Sequence, residues 1–284
     1  MPEPLSYQDA PNPSNRKRKK YMTIRQQNLS TLLDLIEKYE ARSTSELYDK
    51  CKFYEWQDIC NMQQYHELIK TAIELSRKYN LDIQRMDMFK FAASKALSRE
   101  VDIQQQEEFK RIFEVNNINV PYFAACLYNV LNKVDFKINC LRFVGVPNSC
   151  KTLIAGCIAK FFVCCHNNNH GSENEFYMSN LLNQALIWCE ELYVTIATAE
   201  DFKSVLGGQP IDISKKFNEK QLLSRTPALL TSNYLRFGRG HLSPTDENAL
   251  ALRCYTFNFI CEYKPNCYLD AYQFYQFILS HLAV

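Results

Sequence analysis

Glycine is scarce in this chain, 7 residues in 284, and none falls between Ile24 and Val115. Three of the seven, Gly145, Gly207 and Gly208, lie inside the motifs described below. Charge of one sign is lacking too. A net charge of +2 excludes a strong overall field, so any nucleic-acid contact must come from a local patch. No apolar run approaches membrane-spanning length, no secretory h-region opens the chain, and there is no internal repeat. Cysteine, by contrast, is plentiful at 12 residues, and Cys126, Cys157, Cys189 and Cys254 sit within apolar runs. They read as buried thiols in a reducing compartment rather than as disulfides. Cys164, Cys165, His166 and His170 lack a second well-spaced pair and occupy an Asn-rich stretch, so a zinc site is not expected there.

A chain of this length allows one large domain or two modest ones. Residues 1–20 hold Pro2, Pro4, Pro11 and Pro13 and end in Arg16-Lys17-Arg18-Lys19-Lys20, which reads as a disordered basic tail. Such a cluster on a flexible tail suits a nuclear import signal. Residues 21–115 read as helical. Leu29, Leu32, Leu33, Ile36 and Tyr39 recur at helical spacing, as do Leu68, Ile69, Ala72, Ile73 and Leu75, and then Met88, Phe89, Phe91, Ala92 and Ala96. Tyr54 and Trp56 are expected in the core of this bundle. Asn116 to Pro121 interrupts the helices, a helix over 122–131 follows, and residues 116–284 alternate short apolar runs with helices, as an α/β domain with a parallel sheet does.

The most informative stretch runs from Asn139 to Thr152. Leu141, Phe143 and Val144 form a buried-strand pattern. Gly145, Val146, Pro147, Asn148, Ser149 and Cys150 form a tight loop closing on Lys151 and Thr152, and Leu153, Ile154, Ala155, Ile158, Ala159 and Phe162 continue at helical spacing. Strand, loop, Lys-Thr and helix is the order of a phosphate-cradling P-loop. Backbone N–H groups at the helix start would face a triphosphate. Lys151 would reach its β and γ phosphates, and the Thr152 hydroxyl would ligate Mg²⁺. One position departs from the pattern: Cys150 stands where a second glycine is usual, in a conformation that costs a residue with a Cβ about 1–2 kcal/mol.

Ala185 to Cys189 reads as a second buried strand, ending in Glu190 and Glu191. Buried carboxylates are costly unless used, and acids beside a P-loop strand serve Mg²⁺ and the attacking water. Ile211-Asp212-Ile213 alternates like one arm of a hairpin whose tip carries Lys215, Lys216 and Phe217, a combination suited to a nucleic-acid backbone with a stacked base. Leu229 to Asn233 is a strand ending in an amide able to orient a phosphate or water. Arg253 opens a last alternating strand through Tyr255, Phe257 and Phe259, and Leu269 to Leu282 reads as a terminal helix.

Together these motifs resemble the superfamily-3 helicase domain of parvovirus replication initiators, the Rep or large non-structural proteins, and more distantly the papillomavirus replicative helicase. The resemblance covers roughly Phe113 to Phe259. It is densest from Phe176 through Glu190-Glu191, Lys203, Leu206-Gly207-Gly208, Lys216 and Thr226-Pro227 to Thr231-Ser232-Asn233. It implies an N-terminal helical bundle followed by a P-loop ATPase domain with a mostly parallel sheet. It implies ATP and Mg²⁺ as cofactors, and single-stranded DNA and further copies of the chain, in a hexamer-like ring, as partners. By resemblance, Gly145, Lys151 and Thr152 match the phosphate loop, Glu190 the Mg²⁺-site acid, Glu191 the water-activating acid, and Asn233 the polar sensor. Lys203 lies in the third motif, Lys216 matches the DNA-contacting hairpin lysine, and Arg253 matches the arginine finger acting on a neighbour's ATP. The helices before Phe113 would correspond to the oligomerisation region. Nicking of DNA is not expected: the family's endonuclease needs two histidines flanking one apolar residue, and His66, His166, His170, His241 and His281 offer no such pair. The chain is in this similar to helicase-only relatives in avian adenoviruses. Cys150 keeps alternatives open: an active ATP-dependent motor, a catalytically weakened regulator of viral replication or transcription, or a nucleotide-dependent scaffold.

Overall fold

The computed structural model describes residues 22–168, 176–215 and 218–282. The basic cluster Arg16–Lys20 and the hairpin-tip residues Lys216 and Phe217 lie outside them. The chain divides between Asn80 and Leu81 into two compact units.

The first unit is built from α1 (Ile24–Tyr39), α2 (Thr44–Lys50), α3 (Phe53–Cys60) and the start of α4 (Tyr65–Met86). Thr23 and Gln26 form a capping box that starts α1. Leu32, Ile36, Leu47, Ile59, Leu68, Ile69 and Ala72 make its core. Glu55 is nearly buried and accepts hydrogen bonds from Lys38 Nζ (2.7 Å), Tyr39 Oη (2.6 Å) and the Lys52 N–H (3.0 Å). Those donors, Lys38 foremost, hold its carboxyl at about 2. Trp56 packs on the core and meets Tyr48 edge-on, but Tyr54 does not join it: at the first turn of α3 its side chain faces solvent, 56% exposed.

The second unit holds α5 (Met88–Ala96), α6 (Ile103–Val115) and α7 (Val120–Leu131), then the α/β portion. There follow β1 (Cys140–Gly145), α8 (Lys151–Ala159), β2 (Cys164–Asn168), β3 (Leu186–Glu190), α9 (Ala199–Gly207), β4 (Ile211–Lys215), β5 (Asn218–Leu223), β6 (Ala228–Ser232), α10 (Pro244–Ala251), β7 (Cys254–Phe259) and α11 (Ala271–His281). Five strands form one parallel sheet in the order β2-β3-β6-β1-β7. β4 and β5 pair separately as an antiparallel hairpin with a bulge between Ile213 and Lys215.

Alternation at period two divides the sheet residues between two layers. Leu141, Phe143, Leu186, Trp188, Leu229, Phe257 and Phe259 enter one core with α5–α8 and α11. Cys140, Ile187, Cys189, Ala228, Leu230 and Cys254 enter the other with α9 and Ile213 and Leu223 of the hairpin. Covering both faces explains why the strands read as continuous apolar runs. The unit boundary falls within the helical region expected over 21–115, and the reason is aromatic. Phe109 and Phe113 of α6 and Phe123 of α7 are fully buried, with Phe113 4.9 Å from Phe123 and Phe123 4.8 Å from Phe257 of β7, ring centre to centre. Each such side chain contributes about 2–3 kcal/mol by burial, so these helices belong to the sheet's core.

Candidate active site

β1 is the inner strand from which the phosphate loop springs, because β6 and β7 flank it in register on either side. Gly145 ends it at φ +150°, where a Cβ would lie 1.8 Å from the Phe259 carbonyl oxygen, so only glycine fits. The Val146 N–H donates to that same oxygen (3.0 Å). Asn148 and Cys150 both take left-handed backbone conformations, at φ 55° and 67°. Cys150 thus adopts the conformation that usually selects glycine, and its thiol is turned away to donate to the Tyr263 carbonyl (3.1 Å). Burial pushes that thiol's pKa up. Cys150 is also the N-cap of α8 and provides no side-chain cap, so the first N–H groups of the helix are left to the cleft.

Lys151, buried to 6% exposure, folds over the loop: its Nζ donates to the carbonyls of Gly145 (3.0 Å) and Val146 and to Ser149 Oγ (3.1 Å). Burial lowers its pKa, and the Glu191 carboxylate opposes that shift. Ser149 Oγ in turn donates to Val146 O (2.7 Å).

The loop, Lys151 and Thr152 form one wall of a cleft of about 780 Å³. Glu191, Thr231 and Asn233 form the second, brought there because β6 lies beside β1 and β3 beside β6, so the acid-bearing strand is not next to β1 as expected but one strand removed. Glu262 to Pro265, following β7, form the third. Glu191 sits at φ 49°; its N–H donates to Thr231 O (2.8 Å), and its carboxylate accepts from the Asn233 N–H (3.0 Å) and Ser232 Oγ (3.4 Å). Glu190, the last residue of β3 and in register with Thr231, does not line the cleft.

Arg253 is placed elsewhere. It precedes β7, at the opposite end of the parallel sheet from the phosphate loop, where its guanidinium packs along Gly207 and donates to Ala249 O. Lys203 is ion-paired with Glu200 (2.6 Å) and Asp246 (2.7 Å), tying α9 to α10. Lys215 ends β4, in register with Asn218 across the hairpin.

Two groups were not singled out by motif. Arg142, 5% exposed in the middle of β1, stacks 3.9 Å over the Phe237 ring and donates to the carbonyls of Tyr234 (3.3 Å) and Leu235 (2.6 Å). It fixes the segment that continues from Asn233; a charged residue inside an apolar strand was the signal available. The strand-end loop from Cys261 to Cys267 carries no pattern that marks it.

A parallel sheet bearing a glycine-started loop, Lys-Thr at a helix start and an acid at the end of β3, with β6 between β3 and β1, defines a P-loop domain of the superfamily-3 helicase type. A solved structure of the JCV helicase has the same fold, with a TM-score of 0.52 over 81% of this chain and 72% of that one, at 13% identity. The chain belongs to the family of the parvovirus non-structural protein NS1, whose model matches residues 16–268. It is 30% identical to Protein Rep52 of adeno-associated virus 2 over 135 residues, 46% of this chain and 33% of Rep52. It is likewise 30% identical to the initiator protein NS1 of porcine parvovirus over 125 residues, 43% of this chain and 18% of that protein. The matches thus span about a third or less of the length of these relatives. Among the described residues no helix is long and apolar enough to cross a membrane.

Proposed function

We propose that this chain is an ATP-dependent motor on single-stranded DNA that serves viral replication in the host nucleus. One observation carries the reading: Lys151, Thr152, Glu191 and Asn233, drawn from three separate stretches of sequence, line one cleft at the C-terminal ends of β1, β3 and β6. The residues suit a nucleoside triphosphate with Mg²⁺. The start of α8 is uncapped, and its N–H groups and positive dipole end favour phosphate. Bound there, ATP and Mg²⁺ supply a transferable phosphoryl group and neutralise the charge that develops on it.

The protein's own part is positioning and electrostatics. Lys151 would exchange its loop oxygens for phosphate oxygens, in a buried setting that screens the attraction little, with the Glu191 carboxylate favouring its charge. The Thr152 hydroxyl would ligate the metal, while Glu190, matched to the metal by resemblance, does not line the cleft and is given no part in it. Glu191, its carboxylate oriented by the Asn233 and Ser232 donors, holds the attacking water. Asn233, which lines the cleft, would serve as the polar sensor of the γ-phosphoryl group. Arg253, remote from its own chain's cleft, acts on the site of a neighbouring copy in a hexamer-like ring. Lys215, Lys216 and Phe217 present the DNA contacts, and Arg16–Lys20 direct nuclear import.

The test is ATPase activity of the wild type and of Lys151→Ala, with and without single-stranded DNA. The wild type is expected to exceed the variant by at least about 100-fold, roughly 2.7 kcal/mol of transition-state stabilisation. Activity no higher than that of the variant would end the motor reading and leave the regulator.

A further inference from the structure

The third wall of the cleft is held from behind by a buried carboxylate. Glu108 of α6 is 3% exposed, and both its oxygens are fully used. Oε2 accepts from Tyr263 Oη (2.8 Å) and the Asn266 N–H (3.2 Å); Oε1 accepts from Asn266 Nδ2 (3.1 Å) and Arg111 (3.1 Å). The C-terminal end of the same helix holds the start of the loop, where buried Asn116 accepts from the Cys261 N–H (3.1 Å). The loop from Cys261 to Cys267 is therefore pinned at both ends by α6. Tyr263, in its middle, grips the phosphate loop through its main chain: its N–H donates to Asn148 O (2.9 Å), and its carbonyl accepts the Cys150 thiol (3.1 Å). These two partners flank the phosphate loop's tip, and both carry left-handed backbone.

We propose that Glu108 is a positioning residue for the nucleotide cleft, acting through Tyr263 to hold Asn148 and Cys150 in the cradle shape that a second glycine would otherwise permit without strain. The relay accounts for three things together: a cysteine at φ 67°, a thiol aimed out of the cradle rather than into it, and a buried acid with no neighbour in the catalytic machinery. It rests on the reading of the cleft as a nucleotide site. The relay and that reading fail in different measurements.

The first measurement needs no nucleotide. Iodoacetamide labelling of the native protein, resolved by peptide mass spectrometry, reads release of the Cys150 thiol, with buried Cys157 as internal control for loosening of α8. Glu108→Gln and Tyr263→Phe are each expected to speed labelling of Cys150 roughly three- to tenfold, the range for losing one such hydrogen bond, and to leave Cys157 unchanged. The double variant is expected to label no faster than the faster single, since both cut one chain of contacts. In the second measurement, calorimetric titration with Mg-ATP, the same variants are expected to weaken binding by a similar factor, and Glu108→Gln to lose that effect when Cys150→Gly is already present. Unchanged Cys150 labelling overturns the relay, as does a parallel rise at Cys157, which would mean general loosening. Wild type that binds no Mg-ATP overturns the nucleotide reading itself, in the titration alone.

Discussion

The two ends of the parallel sheet are built on opposite terms. At the C-terminal end, Gly145, Asn148, Cys150 and Glu191 all have positive φ, α8 starts without a side-chain cap, and the loops enclose a cleft. At the N-terminal end, Asn139 is fully buried and every polar atom it has is used. Its N–H donates to Leu206 O and Arg253 O, and its carbonyl accepts from the Ala228 N–H. Nδ2 donates to Val205 O and Thr226 O, and Oδ1 accepts from Arg225 Nε. One asparagine thereby joins β1 to α9 and to the starts of β6 and β7. Strain and unmet donors are concentrated where phosphate chemistry would use them, and the opposite end is closed off by satisfied contacts.

Substitutions should separate the two ends. The largest expected effect is Gly145→Ala, because the new methyl group collides with the main chain of β7. It should cost about 3–5 kcal/mol or prevent folding, read by urea unfolding. An alanine variant of wild-type stability would mean that β1 and β7 are not joined as described. Next, Asn139→Ala strands several buried donors and acceptors and should cost about 3 kcal/mol. Its folded fraction should titrate with Mg-ATP like wild type; a change of affinity would erase the division of labour between the ends. Acid sensitivity is a milder probe. Hydrogen bonding from Tyr263, followed by Asn266 and the charge of Arg111, keeps the Glu108 carboxyl below its ordinary range. A depressed folded value contributes stability fully above the ordinary carboxylate pKa of about 4.3. That stability is lost as pH falls through the folded value. Glu108→Gln should therefore flatten the fall in unfolding midpoint below about pH 4, and an acid limb identical to wild type would remove the carboxylate from the account. The smallest effect is expected of Cys150→Gly, where relief of about 1 kcal/mol of left-handed strain is offset by the lost thiol bond and the looser unfolded chain. Its midpoint should move by no more than about 1 kcal/mol; a larger gain would mark the cysteine as a stability defect.

The parts of this design that are local were legible from the residues alone. Strand, loop and helix from Asn139 to Phe162 follow from periodicity and one lysine-threonine pair, and the acids at 190 and 191 from a strand that ends in charge. What pairs distant stretches was hidden. Arg142 reads as an interruption of an apolar run until Phe237 and the carbonyls of Tyr234 and Leu235 are beside it. The division at Asn80 falls inside α4, a continuous helix without glycine or proline to punctuate it. Arg253 carried its resemblance without its contacts, since only the fold puts Gly207 and the Ala249 carbonyl beside its guanidinium. The Tyr263 loop has neither period nor motif, because its conformation is imposed by Glu108 and Asn116 from a helix far away in sequence.

Arg142 has a mechanical consequence. By clasping the turn beyond β6 from within β1, it leaves the stretch carrying Asn233 little compliance of its own. Load applied to the exposed residues Tyr234 and Leu235 is passed directly to the rod from which the phosphate loop hangs.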